Sequence, residues 1–180
     1  MVTNTQVAYC WANQTKKYLK GSNFFFSGKK IYSYSERFLV GLLVNKSDKD
    51  KKKYTIALIN NSGRSMSTRR HCNWALVASN HLKRFYIPNI GITPDDIHAN
   101  CRYFLDQIIK YHDKSLLSFK YNWYKNLDNN IECAVDYINT FPTTIVDRDK
   151  IMEWKERKDA GILFTKEQNV RINARIEGEK

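Results

Sequence analysis

The spacing of apolar residues changes between the two halves of the chain. From Phe24 to Asn60 they come in short runs: FFF at 24–26, IYSY at 31–34, RFLVGLLVN at 37–45 and KYTIALIN at 53–60. Branched and aromatic side chains dominate these runs and suit a pleated, half-buried surface. SGKK at 27–30 reads as a turn, and KSDKDKKK at 46–53 as a solvated hairpin tip. Period-two alternation puts Tyr32 and Tyr34 on one strand face, with Ser33 and Ser35 on the other. Ahead of the strands, residues 5–20 carry Val7, Ala8, Trp11 and Tyr18 as a partial helical face.

Helical spacing takes over after residue 60. NSGRSMS at 61–67 reads as a turn, and Thr68 as the N-cap of a helix through about Ser79. Its apolar face holds Cys72, Ala75 and Leu76, with Trp74 to one side. HLKRFYIPN at 81–89 interleaves basic and aromatic residues and reads as a second surface. A break follows at 89–96, where Thr93 caps, Pro94 takes the first helical position and Asp95 and Asp96 meet the positive helix end. Ile97, Cys101, Phe104, Leu105, Ile108 and Ile109 then make the clearest amphipathic helix, ending near His112. Residues 116–127 and 130–141 read as two further helices, the second stopped by Pro142, and another starts after Asp147. The tail alternates at Val170, Ile172, Ala174 and Ile176, yet Thr165 with KEQ after it resembles a capped helix start, and helix is preferred. The expected fold is α+β: a small N-terminal antiparallel sheet, with strands near 24–26, 31–34, 37–45 and 53–60, then a mainly helical half. Its 180 residues suit one domain over 1–180, with a soft division near 88–94.

Charge changes the picture. The net charge is +12, with +8 in residues 1–60, +5 in 61–120 and −1 in 121–180. A polyanionic partner fits such an excess, since neutralising phosphates supplies salt-dependent affinity. Lys49, Lys51, Lys52 and Lys53 at the hairpin tip, with Lys83 and Arg84, are the candidate nucleic-acid contacts. They would touch phosphates and read no bases. A soluble, protected hairpin end would carry the same lysines.

The stretch NNSGRSMST at 60–68, followed by Arg69, Arg70 and His71, is the other candidate. Arginines in a first helical turn oppose the helix dipole, which invites an anion there. Arg64, Ser65, Ser67, Thr68, Arg69, Arg70 and His71 form that candidate ligand-binding set. Catalytic signals are weak. No G-x-S-x-G elbow occurs, and Cys72 beside His71 would diverge from it on a helix. The four histidines lack ligand spacing, so no metal or other cofactor is expected, and no catalytic residue is assigned. Cys10, Cys72, Cys101 and Cys133 form no CxxC pair and read as free, buried thiols. No run of about 18 apolar residues or N-terminal apolar core is present, so neither a membrane span nor a secretory signal is expected, and an intracellular location fits.

Three pieces in order carry a resemblance: Ile31-Tyr32-Ser33-Tyr34 before an apolar strand, Ile59-Asn60 ending the next strand, and Ser65-Met66-Ser67-Thr68-Arg69-Arg70-His71. Together they resemble a domain of small, poorly characterised phage and mobile-element proteins, over about residues 25–79. The last piece looks like that family's Ser-x-Thr-Thr-x-x-His, with Ser67 in place of the first threonine and an inserted tip at 47–53. The resemblance implies a phage origin and a joint role for Ser65, Thr68 and His71, and brings no activity. The leading expectation is therefore a non-enzymatic phage accessory protein that binds nucleic acid or another polyanion through a basic N-terminal face. The alternatives are a module that binds or inhibits a host or phage protein through Trp74, Phe85 and Tyr86, and a small hydrolase or nuclease using His71.

Overall fold

In the computed structural model the chain divides into two compact units, Met1–Ile92 and Thr93–Lys180. The structure describes residues 1–48, 50–62, 65–117, 123–143 and 146–178. The fold is α+β: a six-stranded sheet followed by helices.

The first unit opens with α1 (Asn4–Ala12), whose start Thr3 and Gln6 close as a reciprocal capping box. The helix is shorter than the sequence suggests, because residues 18–20 leave it to form β1 (Tyr18–Lys20). β2 (Phe24–Ser27), β3 (Lys30–Ser33), β4 (Leu39–Ser47) and β5 (Lys53–Asn60) continue an antiparallel meander. A crossover through α2 (Met66–Ala78) then lays β6 (Lys83–Ile87) parallel to β5. Residues 83–87 therefore form a strand, with Lys83, Arg84 and Tyr86 exposed. Phe85 and Ile87 alternate inward from an edge strand and are buried.

α1 and α2 cover one face of the sheet. Trp11, Phe24, Phe26, Ile31, Val40, Leu43, Ala57 and Ile59 form the core there with Cys72 and Ala75. Trp11 is fully buried, and its indole N–H donates to the Lys29 carbonyl at 2.8 Å. The indole lies over Gly41, where a Cβ would come within 2.9 Å of the ring. Only glycine admits that approach. β3 alternates as expected at Tyr32 and Ser33: Ile31 and Ser33 point into the core, while Tyr32 points away. Tyr34 is outside the strand, exposed, in the left-handed region at φ 62°.

The second unit is helical: α3 (Pro94–Leu117), α4 (Tyr124–Thr140), α5 (Val146–Asp159) and α6 (Lys166–Gly178). Thr93 and Asp96 cap α3 reciprocally, with Pro94 at its first position. α3 runs past His112 to Leu117, and α4 starts at Tyr124. The two ends of the helix expected over 116–127 therefore belong to α3 and α4, and residues 118–122 lie outside the described residues. α4 buries Leu127, Ile131, Ala134, Tyr137 and Ile138, and Tyr137 accepts a hydrogen bond from buried Asn100 at 2.9 Å. Burial pushes the Tyr137 phenol up to about 12. Thr165 caps α6, as its KEQ sequel predicts, and the tail is a helix rather than a strand. Among the described residues no helix is long and apolar enough to cross a membrane.

Candidate polyanion-binding surface

The resembling segments meet inside the first unit. Ser65 caps α2 through the Thr68 N–H, which corrects the expected cap at Thr68. The Ser65 hydroxyl also hydrogen-bonds those of Thr68 and Ser67. Thr68 is thus the third helical residue and is buried. Arg69 and Arg70 fall just beyond the first turn, where the dipole cost drawn from the sequence fades. Both are exposed. Arg64 lies outside the described residues.

His71 is 2 % exposed and turns into the core. Its Nδ1 lies 2.6 Å from the Ser33 hydroxyl, and Phe24 stacks on its ring at 4.6 Å. Tyr34 and Trp74 complete the surround. Burial, with Arg70 adding a smaller effect, lowers its pKa, so the imidazole is neutral near pH 7. A base needs reach to a substrate proton, and this ring is enclosed by aromatics. His71 instead ties α2 to β3. The stripe Thr68, His71, Cys72, Ala75 has helical spacing, so counting His71 as an inward position would have found this.

The other candidates are placed differently. Cys72 and Cys101 are buried thiols held up at about 11 by burial, while Cys10 is half-buried and Cys133 exposed, against the expectation that all four are buried. His98 pairs with Asp147 at 3.4 Å, and Arg102 reaches the same carboxylate at 3.6 Å. His112 packs against Phe164 and Trp154. Among the described residues no three His, Cys, Asp or Glu side chains gather as metal ligands. Of the proposed protein contacts, Trp74 is half-buried, Phe85 is 4 % exposed and only Tyr86 is open to solvent.

Strand order determines where the basic residues go. β1, β3, β5 and β6 all start at one end of the sheet, where β2 and β4 finish. Four connections therefore leave the sheet on that side, but the register staggers them: Lys30 lies level with Leu42 and Leu58, Lys83 with Ile56, and Lys53 with Ser47, five residue steps beyond Lys30. The α1–β1 link brings Lys16 and Lys17, and the β2–β3 turn brings Lys29 and Lys30. The β4–β5 tip brings Lys51, Lys52 and Lys53, and the α2–β6 link leads into Lys83 and Arg84. All nine side chains are exposed, and Lys46 beside the tip is half-buried. Asp48 accepts from the Lys52 N–H at 2.8 Å and so braces the tip. Lys49 lies outside the described residues. Arg84 also donates to the Leu76 carbonyl at 2.7 Å, which satisfies the end of α2.

The start of α2 follows the far end of β5. Lys53 and Asn60 bound that strand, seven residue steps or about 23 Å apart. The tip lies at the start of β5 and Arg69–Arg70 follow its other end, with Lys30 level with Leu58 between the two. Residues 1–92 hold 16 basic and 3 acidic side chains, a net +13, and three carboxylates cannot balance that. Edge protection accounts for lysines flanking short β1. It does not account for Lys29 and Lys30, which turn between interior strands.

No protein-family model, curated protein or solved structure matches this chain. The surface therefore carries the functional reading by its own geometry.

Proposed function

We propose that this protein is a non-enzymatic accessory factor that binds nucleic acid through the lysine-rich end of its first unit. The resemblance over residues 25–79 supports placing it among phage or mobile-element proteins. One observation carries the binding reading: four connections, distant in sequence, leave the same side of one sheet with nine exposed cations, staggered over about five residue steps along the strands. Solubility asks only for scattered charge. A staggered row of cations suits a linear array of phosphates, which cations position without reading sequence.

The test is fluorescence anisotropy with labelled single- and double-stranded DNA and RNA at low salt. Wild-type protein is expected to bind. Lys51→Gln, Lys52→Gln and Lys53→Gln together with Lys29→Gln and Lys30→Gln are expected to abolish most of that binding, with the circular dichroism spectrum unchanged. Absence of wild-type binding at low salt would overturn the reading, and would leave the charge as a solubility feature.

A further inference from the structure

The sheet face away from α1 and α2 is patterned over β1–β3. The core residues Phe24, Phe26 and Ile31 use the helix-covered face, so their sequence neighbours point the other way. Lys20, Phe25 and Tyr32 are cross-strand neighbours in one row, and Tyr18, Ser27 and Lys30 in the next. Strands lie about 4.8 Å apart and these rows about 7 Å apart. Each row thus combines a lysine with an aromatic ring, in opposite order. Phe25 and Tyr32 are half-buried and stacked, with centroids at 5.2 Å and planes at 24°. Tyr18 is 55 % exposed, and Lys20 and Lys30 are exposed. The second row leads directly to Lys16, Lys17 and Lys29 at the basic end.

We propose that single-stranded nucleic acid is the ligand of this surface, with bases stacking on Tyr18 and on the Phe25–Tyr32 pair. Lys20 and Lys30, with Lys16, Lys17 and Lys29, take the phosphates. The proposal rests on the polyanion reading and narrows it to one ligand class. A duplex keeps its base faces inside its own stack and offers this surface only phosphates. A single strand offers both parts, and rings interleaved with cations match both. On the same face the Lys30 row runs on through Leu42 to buried Leu58 and Phe85, so packing accounts for part of the burial of Phe25 and Tyr32, but not for Tyr18, which remains mostly in solvent.

The decisive experiment measures binding of the full chain to labelled oligothymidylate and to a duplex of equal length, for wild type, Tyr18→Ala and Tyr18→Phe. Tyr18→Ala is expected to weaken oligothymidylate binding by about 5- to 150-fold, the range for losing one stacked base. Duplex binding and the salt dependence stay as in wild type, because no phosphate contact is removed. Tyr18→Phe keeps the ring and restores affinity. If wild type binds both ligands and Tyr18→Ala changes neither, or weakens both equally, the single-strand proposal fails while the polyanion reading stands. If wild type binds neither, the polyanion reading fails and takes this proposal with it.

Discussion

The two units hold nearly equal numbers of basic residues, 16 in residues 1–92 and 14 in 93–180, but 3 and 15 acidic ones. In the second unit two lysines are paired with neighbouring carboxylates. Lys155 reaches Glu132 at 3.1 Å and Asp159 at 2.7 Å, while Lys158 reaches Asp128 at 2.6 Å and also Glu132. The pairs with Glu132 and Asp128 join α4 to α5, and Lys155–Asp159 lies within α5. Glu132 is held below the ordinary carboxylate range by hydrogen bonds from Lys158 and Lys155. In the first unit the same residue type stands at strand starts with too few carboxylates to neutralise it. These two lysines of the second unit thus have their counter-charge inside the fold, while the first unit carries 16 basic residues against 3 acidic ones.

The contrast is open to attack from both sides. The largest effect is expected at the packing that holds the basic loops in place. Trp11→Ala empties the centre of the first unit and frees the Lys29 carbonyl, and should cost about 3–5 kcal/mol in urea unfolding. Ser33→Ala leaves buried His71 without its partner, at about 1–3 kcal/mol by the same measurement.

His71 also sets a pH dependence. Its folded pKa is below the ordinary 6.5, so the unfolded chain binds the proton more readily. Stability from this site is complete above about pH 6.5 and is lost as pH falls from there toward the lowered folded value. Thermal melts of wild type and His71→Phe should diverge least at acid pH, because the variant lacks this proton uptake. An identical acid slope in both would remove His71 from that role.

Smaller effects separate the two kinds of lysine. Lys158→Ala should cost about 1 kcal/mol or less, an effect reduced by salt, and leave nucleic-acid binding alone. Replacing Lys51, Lys52 and Lys53 by glutamine should change stability by less than about 0.5 kcal/mol and weaken binding. Stability losses in the tip variant without binding losses would reverse the assignment.

Legibility in the sequence followed the length and regularity of each element. β4 and β5 showed plainly because two apolar, branched runs flank a charged tip. α3 showed because its cap, proline and apolar stripe agree. β1 did not, since three residues at the end of a helical-looking stretch carry no period of their own. β6 was hidden because basic and aromatic residues in KRFYI suggested a surface, although Phe85 and Ile87 alternate. These two omissions mattered for the site. Which loops leave the same side of a sheet depends on counting every strand, so the individual lysines were readable and their shared side was not. His71 was misleading for a different reason: a polar residue type at an inward helical position looks like chemistry until its buried partner, Ser33, is known.

The central claim, that the anion surface lies at the strand starts rather than at the start of α2, is tested most directly by salt dependence. Binding of labelled single-stranded DNA should be followed over a salt series for wild type, for Lys16→Gln/Lys17→Gln/Lys29→Gln/Lys30→Gln, and for Arg69→Ala/Arg70→Ala. Log affinity should fall linearly with log salt in wild type, at about 0.7 per phosphate contacted on a single strand. The lysine variant should lose roughly 3 from that slope if all four contact phosphates, and the arginine variant should keep the wild-type slope. A slope unchanged in the lysine variant and reduced in the arginine variant would contradict the claim and return the site to the start of α2.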